Sequence, residues 1–267
     1  MAHYYTVTGK LIDKVPYKDS KRSGELKDTT VVEARQLGLL PSVTTMLSVL
    51  SKPAVEKWKM EQVALAASTY PYDGSDYWHK TIANKGNEIA GAAADAGTEV
   101  HQWVSALLGG RQATSRNFLW SKSIAEYVVK WLDLNGYQVL ETEKTFVNED
   151  LGFAGTVDLT VRHRGQIKRL DIKTNSFKSK KDCPEYAEHR YQLAGYAFGA
   201  SADPEDLREV LYVSRENIGL IVPKLCKNPT QDERAFLSVA HAWAATHNWK
   251  LPARFYQLMM SYEGDLE

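Results

Sequence analysis

The amino-acid sequence predicts an α/β protein, a single domain over 1–267 in which 1–136 is mostly helical and 137–250 forms an α/β core. Three observations lead there. From about residue 40 to 136 the segments read as helices separated by start and stop signals. From 137 to 175 the texture changes to strands, in "YQVLETEKTFVN", "GFAGTVDLTVRH" and "QIKRLDIKTN". A helical stretch of about 185–200 then precedes two further strand-like runs, "EVLYVS" and "IGLIVP", and a last helix covers about 230–247 before the C-terminal tail.

The elements are justified in chain order. The first forty residues read as short strands and loops, with "YYTVTG" and "TTVVEARQL" as strand candidates. "LPSVTTMLSVL" (40–50) is a loop entering a helix, with Ser42 or Thr44 as its N-cap. "KPAVEKWKMEQVALAAS" (52–68) is helical, with Pro53 suited to a first turn. A long helix from about Tyr77 to Leu108 stops at Gly109-Gly110, and "SKSIAEYVVKWLDLNG" (121–136) stops at Asn135-Gly136. No repeat or low-complexity linker interrupts this order.

Composition is that of an ordinary globular chain: 43% hydrophobic, 25% charged, net charge +0. A global basic balance therefore offers no argument for nucleic acid. Two cysteines, Cys183 and Cys226, are too few for a disulfide framework or a four-cysteine metal site, and read as reduced thiols in a cytoplasm. The N-terminus has no apolar signal-peptide core, and no apolar run reaches ~18 residues, so a membrane is not expected as a partner. The phosphate-binding pattern of ATP-driven motors is absent.

The chemistry concentrates in "GTVDLTVRHRGQIKRLDIKTN", residues 155–175. With Arg164-Gly165 as the centre of a hairpin turn, Asp158 and Asp171 each lie six residues from it and stand opposite one another. Directly opposed residues share a face, with Cβ atoms about 4.5–5.5 Å apart, and Lys173 joins that face two residues on. Val157, Leu159, Leu170 and Ile172 take the apolar face. Opposed like charges are destabilising. A hard divalent cation, Mg2+ or Mn2+, reverses that cost, and a lysine ammonium beside it can orient water or hold a phosphate oxygen. The competing reading is a solvated strand face that carries two acids.

"GTVD…LDIKT" resembles the D-x(n)-(D/E)-x-K signature of the PD-(D/E)XK nuclease superfamily. "QLAGY", with Gln192 and Tyr196, is similar to the Q-x-x-x-Y motif of its RecB-type members. "AGTEVH", ending in His101, is similar to the upstream G-x-x-x-H segment of the same branch, and "LPSVTTML" followed by "KPAVEKW" resembles the N-terminal segment of phage and mitochondrial RecB-like exonucleases. The resemblance implies a restriction-endonuclease-like core, a central mixed sheet flanked by helices. It implies His101, Asp158 and Asp171 as metal ligands, completed by the Ile172 carbonyl, with Lys173 as the catalytic lysine. Gln192 and Tyr196 would face the active site or the DNA from one helix face. An acidic residue before the first aspartate is expected, and Glu143 and Glu126 compete for it, with Glu143 preferred for its strand-like setting. On residues alone, His101 belongs to a small or apolar helical stripe with Ala90, Ala94, Gly97, Val104 and Leu108, the usual place of a core histidine. Ser42 and Thr44 are most simply caps; their hydroxyls can also hold a phosphate at a helix start.

Residues 162–181 hold eight Lys/Arg against one acid, Asp171, a local basic stretch that fits a phosphate backbone. Trp58, Trp103 and Tyr191 are candidates for stacking on bases or for the core. The expected activity is therefore metal-dependent DNA hydrolysis, by analogy an exonuclease in phage recombination, repair or genome processing, working beside a separate annealing protein or helicase. A structure- or sequence-specific DNA endonuclease of the same fold and a non-catalytic DNA-binding protein are the alternatives.

Overall fold

The computed structural model describes residues 2–18, 22, 24–110, 113 and 119–263. They form two compact units, Met1–Leu50 with Trp131–Glu267 in one and Ser51–Lys130 in the other. In chain order the first unit begins with β1 (Tyr4–Tyr5), β2 (Lys14–Pro16), β3 (Leu26–Asp28), α1 (Val31–Gln36), β4 (Leu40–Pro41), α2 (Val43–Met46) and a 3-10 turn over Leu47–Val49. The second unit holds α3 (Pro53–Thr69), α4 (Trp78–Leu107) and most of α5 (Leu119–Leu134). The first unit resumes with β5 (Gln138–Asn148), β6 (Phe153–His163), β7 (Gln166–Asn175), α6 (Ala187–Gly199), β8 (Leu207–Ser214), β9 (Ile221–Leu225), α7 (Pro229–Thr246) and α8 (Ala253–Glu263).

The fold is thus the predicted α/β class: N-terminal helices, then a five-stranded mixed sheet flanked by helices. Strand order is β5-β6-β7-β8-β9. All neighbours are antiparallel except β7 and β8, whose parallel pairing is what α6 crosses over to make. β1 pairs with β4 and β2 with β3 as two small separate sheets. In the second unit α3 packs on α4 at Gly86, where a Cβ would collide with Val63.

Two expectations are corrected. "TTVVEARQL" is not a strand but the start of α1. Thr30 accepts from the Glu33 amide and the Glu33 side chain returns to the Thr30 amide, a capping box that outweighs the β-branched pair Val31-Val32. The C-terminal tail contains α8, whose Phe255 is fully buried in the main apolar cluster with Trp243, Phe236 and Phe153.

The sheet's register depends on the hairpin between β6 and β7. His163 pairs with Gln166, leaving Arg164 (φ 52°) and Gly165 (φ 81°) as a two-residue loop. Positive φ at both central positions makes a type I′ turn, whose twist matches the flanking strands. The pairing runs back through Leu159 with Leu170, the register that the equal spacing from the turn demands. Val157, Leu159, Leu170 and Ile172 are all buried.

α6 lies close against the sheet because its last residue has no side chain: a Cβ on Gly199 would overlap the Phe146 ring of β5. The same ring stands 2.8 Å from where a Gly155 Cβ would be. Phe146 then packs edge-on against Tyr196, at 5.9 Å between centroids, and so fixes the height of the motif helix.

Arg164 occupies the left-handed region at a steric cost that Asn largely avoids. Arg164→Asn is expected to raise stability by about 0.5–1 kcal/mol, read as a higher urea midpoint at unchanged m-value.

Candidate active site

The polar cluster sits where β5, β6 and β7 pass the same level. On the β6–β7 side the pairing ends at Leu159 with Leu170, one step before Asp158 and Asp171. In a two-residue hairpin the next hydrogen-bonded pair would be Val157 with Ile172. Instead the Ile172 amide donates to Asp158 Oδ2 at 2.7 Å. The carboxylate has taken the place of a strand carbonyl, and the two strands part at the acids. On the β5–β6 side, the pairs Thr142 with Leu159 and Lys144 with Val157 bracket Glu143 and Asp158. Glu143 has φ 47°, a left-handed conformation inside a strand. Such a residue costs of order 1–3 kcal/mol and persists only where the surroundings require it. One carboxylate oxygen of Glu143 and one of Asp158 lie within 4.8 Å of each other.

Asp171 is wholly buried and Asp158 nearly so. Lys173 Nζ reaches both Asp171 oxygens, at 3.1 and 3.0 Å, and donates to Gln192 Oε1 at 3.0 Å. Gln192 Nε2 donates to Asp171 Oδ1 at 2.9 Å and to the Tyr196 hydroxyl at 2.6 Å. Gln192 thus accepts from the lysine and donates to the aspartate, which fixes its amide orientation. Burial, with the Asp171 and Asp158 charges behind it, raises the Tyr196 phenol well above its usual range, so it stays protonated. Both helix residues are buried and turned to the acids rather than to a surface.

The other sequence candidates fall as follows. His101 lies on α4 in the second unit. Glu126 is an exposed α5 residue 3.7 Å from Lys122, a helix-surface pair of small energetic weight. Ser42 is the buried N-cap of α2, its Oγ accepting from the Thr45 amide at 2.9 Å and meeting the Thr44 hydroxyl at 2.9 Å. Ile172 enters through its amide, as above.

The basic stretch 162–181 does not form one surface. Lys168 is buried against Glu209 at 2.8 Å, and Arg169 is paired with Asp206 at 3.0 Å. Arg162 and Arg164 are exposed at the hairpin tip, while Lys178, Lys180 and Lys181 are exposed beyond the far end of β7. Ten strand residues, about 33 Å, separate the two groups. Cys183 and Cys226 are unpaired, and burial pushes the Cys226 thiol up to about 12.

Sequence reading passed over Tyr212 and His189. Tyr212 is the β8 partner of Lys173, and its buried hydroxyl accepts from the Tyr186 amide at 3.2 Å and meets His189 Nδ1 at 2.9 Å. The one sequence signal was that His189 lies a helical turn before Gln192.

No family profile and no curated protein matches the chain. Among solved structures it is distantly similar to the crystal structure of SSO0001, with TM-score 0.36 and 19% identity over 77% of this chain and 75% of that one. It is also distantly similar to an alkaline exonuclease (LHK-Exo) from Laribacter hongkongensis, with TM-score 0.36 and 10% identity over 78% of this chain and 98% of that one. No helix among the described residues is long and apolar enough to cross a membrane.

Gln192→Ala removes the bridge between Lys173, Asp171 and Tyr196. It should destabilise the protein by about 1–3 kcal/mol, measured as a shift of the urea midpoint in metal-free buffer.

Proposed function

We propose that this protein is a divalent-metal-dependent deoxyribonuclease of the PD-(D/E)XK type, acting as an exonuclease. The observation that carries the reading is one level of the sheet, where Glu143 and Asp158 bring carboxylate oxygens within 4.8 Å and Asp171, on the next strand, is bonded to Lys173. The carboxyl groups of Asp158 and Asp171 are buried and that of Glu143 is half-buried. That donor set suits a hard cation such as Mg2+ or Mn2+, which takes oxygen ligands. Asp158 and Asp171 would hold it, with Glu143 and the Ile172 carbonyl as further donors; His101 is proposed as a ligand from its sequence motif. When bound, the ion supplies a lowered pKa for water and a counter-charge for the scissile phosphate.

The chain's own residues do the rest. Asp158, by accepting the Ile172 amide, orients the 172 peptide at the parting of the strands. Lys173, tied to Asp171 and Gln192, presents a positioned ammonium that stabilises charge developing at the nucleophile or on the phosphate. Gln192 and the protonated Tyr196 keep Asp171 from turning away. DNA is the proposed substrate, with Ser42 and Thr44 proposed as a further phosphate contact. The exonuclease assignment rests on the sequence resemblance, as do the annealing or helicase partner and the phage role in recombination, repair or genome processing.

The test is a Mg2+ digestion time course on 5′- and 3′-labelled single- and double-stranded DNA, with circular DNA alongside. Linear DNA should be degraded from an end and circles spared; cutting of circles would make the activity endonucleolytic. Lys173→Ala and Asp171→Asn should each lower kcat/KM by at least about 10²-fold. MgCl2 should raise Tm in the parent and not in Asp158→Asn/Asp171→Asn. Parent-like cleavage by both single variants, in preparations free of host nuclease, overturns the mechanism.

A further inference from the structure

Beside the acids runs a polar row that the proposed catalysis does not use, from the buried Tyr5 to two half-buried threonines. Tyr5, on β1, carries its hydroxyl to Thr156 Oγ1 at 3.1 Å, across 151 residues of sequence. Thr156 in turn meets Thr145 Oγ1 at 3.0 Å, and these two threonines are strand partners. Their register places them one strand period, about 6.8 Å, from the level of Glu143 and Asp158. Thr145 and Thr156 are half-buried and so remain open to solvent. The chain leaving Tyr5 makes a tight turn over the same place. The Thr6 amide donates to the Lys10 carbonyl at 2.9 Å, and Gly9 lies against Thr145, where a Cβ would come within 3.5 Å of its methyl. Thr6 and Thr8 join hydroxyls at 2.8 Å on the exposed side of that turn, and Lys10 closes it as an exposed cation. Residues 4–10 contain no acid.

We infer that this hydroxyl row, with Lys10, binds a backbone phosphate of the nucleic-acid strand next to the one at the carboxylates. The inference rests on the proposed nuclease reading for the identity of the strand. Its own content is the phosphate contact. Hydroxyls donate to a non-bridging oxygen without adding charge beside three carboxylates. The single ammonium supplies the long-range attraction. The spacing of one strand period is comparable to the step between successive phosphates on an extended strand. A protein or membrane partner would call for a broad apolar area, and this turn exposes only Val7 and Leu11.

The test is a cycle of substitutions on both molecules. Binding of a short DNA strand is measured by fluorescence anisotropy in CaCl2. Strands carrying one neutral methylphosphonate at each internal position in turn are compared with the parent strand. Tyr5→Phe and Thr156→Val should each weaken binding about tenfold, and Thr156→Ser should restore it. For one methylphosphonate position the losses should fail to multiply, because both changes remove the same contact. Parent-like binding by Tyr5→Phe and Thr156→Val overturns the inference. So does multiplication of the losses at every position, which would leave a purely structural role. Variants that lose binding with this coupling, in a protein that cleaves nothing in Mg2+, keep the phosphate contact and sink the nuclease reading instead. A parent that binds no DNA sinks both.

Discussion

Carboxylates at one level of a sheet repel one another, and the arrangement of this protein follows from how that repulsion is contained. Glu143, Asp158 and Asp171 come from three neighbouring strands, and an unbroken ladder would press them together. The sheet yields instead. Asp158 takes the Ile172 amide, the ladder stops, and Glu143 turns into a left-handed conformation. Lys173 and Gln192 close the cluster from the other side. Burial makes each of these contacts stronger than it would be in water, and makes a missing one more costly.

The surrounding packing serves to keep that cluster at one height. Phe146 fills the space that Gly155 and Gly199 leave, so α6 cannot ride away from β5 and β6. Arg190, two residues before Gln192, is anchored to Asp232 of α7 at 3.1 Å, which holds the same helix from its other side. Tyr212 caps the start of α6 through the Tyr186 amide while lying beside Lys173 in register. The motif helix is therefore fixed at its start, its middle and its end by contacts to three different elements.

What could be read from the sequence was what is local. The turn at Arg164-Gly165 and the equal spacing of the two aspartates sufficed for the hairpin register, because a two-residue loop admits one pairing. The long helices, with their Pro starts and Gly stops, and the order of strands were legible for the same reason. The capping box at Thr30 and Glu33 was also written there, but a β-branched pair was weighed above it. The parting of the strands was not legible, since it depends on a side chain competing with a backbone carbonyl. Nor was the dispersal of the basic stretch: that Lys168 and Arg169 are held by Glu209 and Asp206 is known only once β8 lies beside β7. The contact of Tyr5 with Thr156 spans most of the chain and leaves no local trace.

The equidistance of Asp158 and Asp171 from the turn has a consequence for how this segment can change. Substitutions between them alter packing by degrees, whereas a single inserted or deleted residue turns one aspartate to the opposite side of the sheet. The stretch from Asp158 to Asp171 is therefore length-locked. It tolerates drift in composition but admits only changes that preserve the count from Asp158 to Asp171. Distant relatives would then be better found by this fixed interval between acids than by similarity of the residues that fill it.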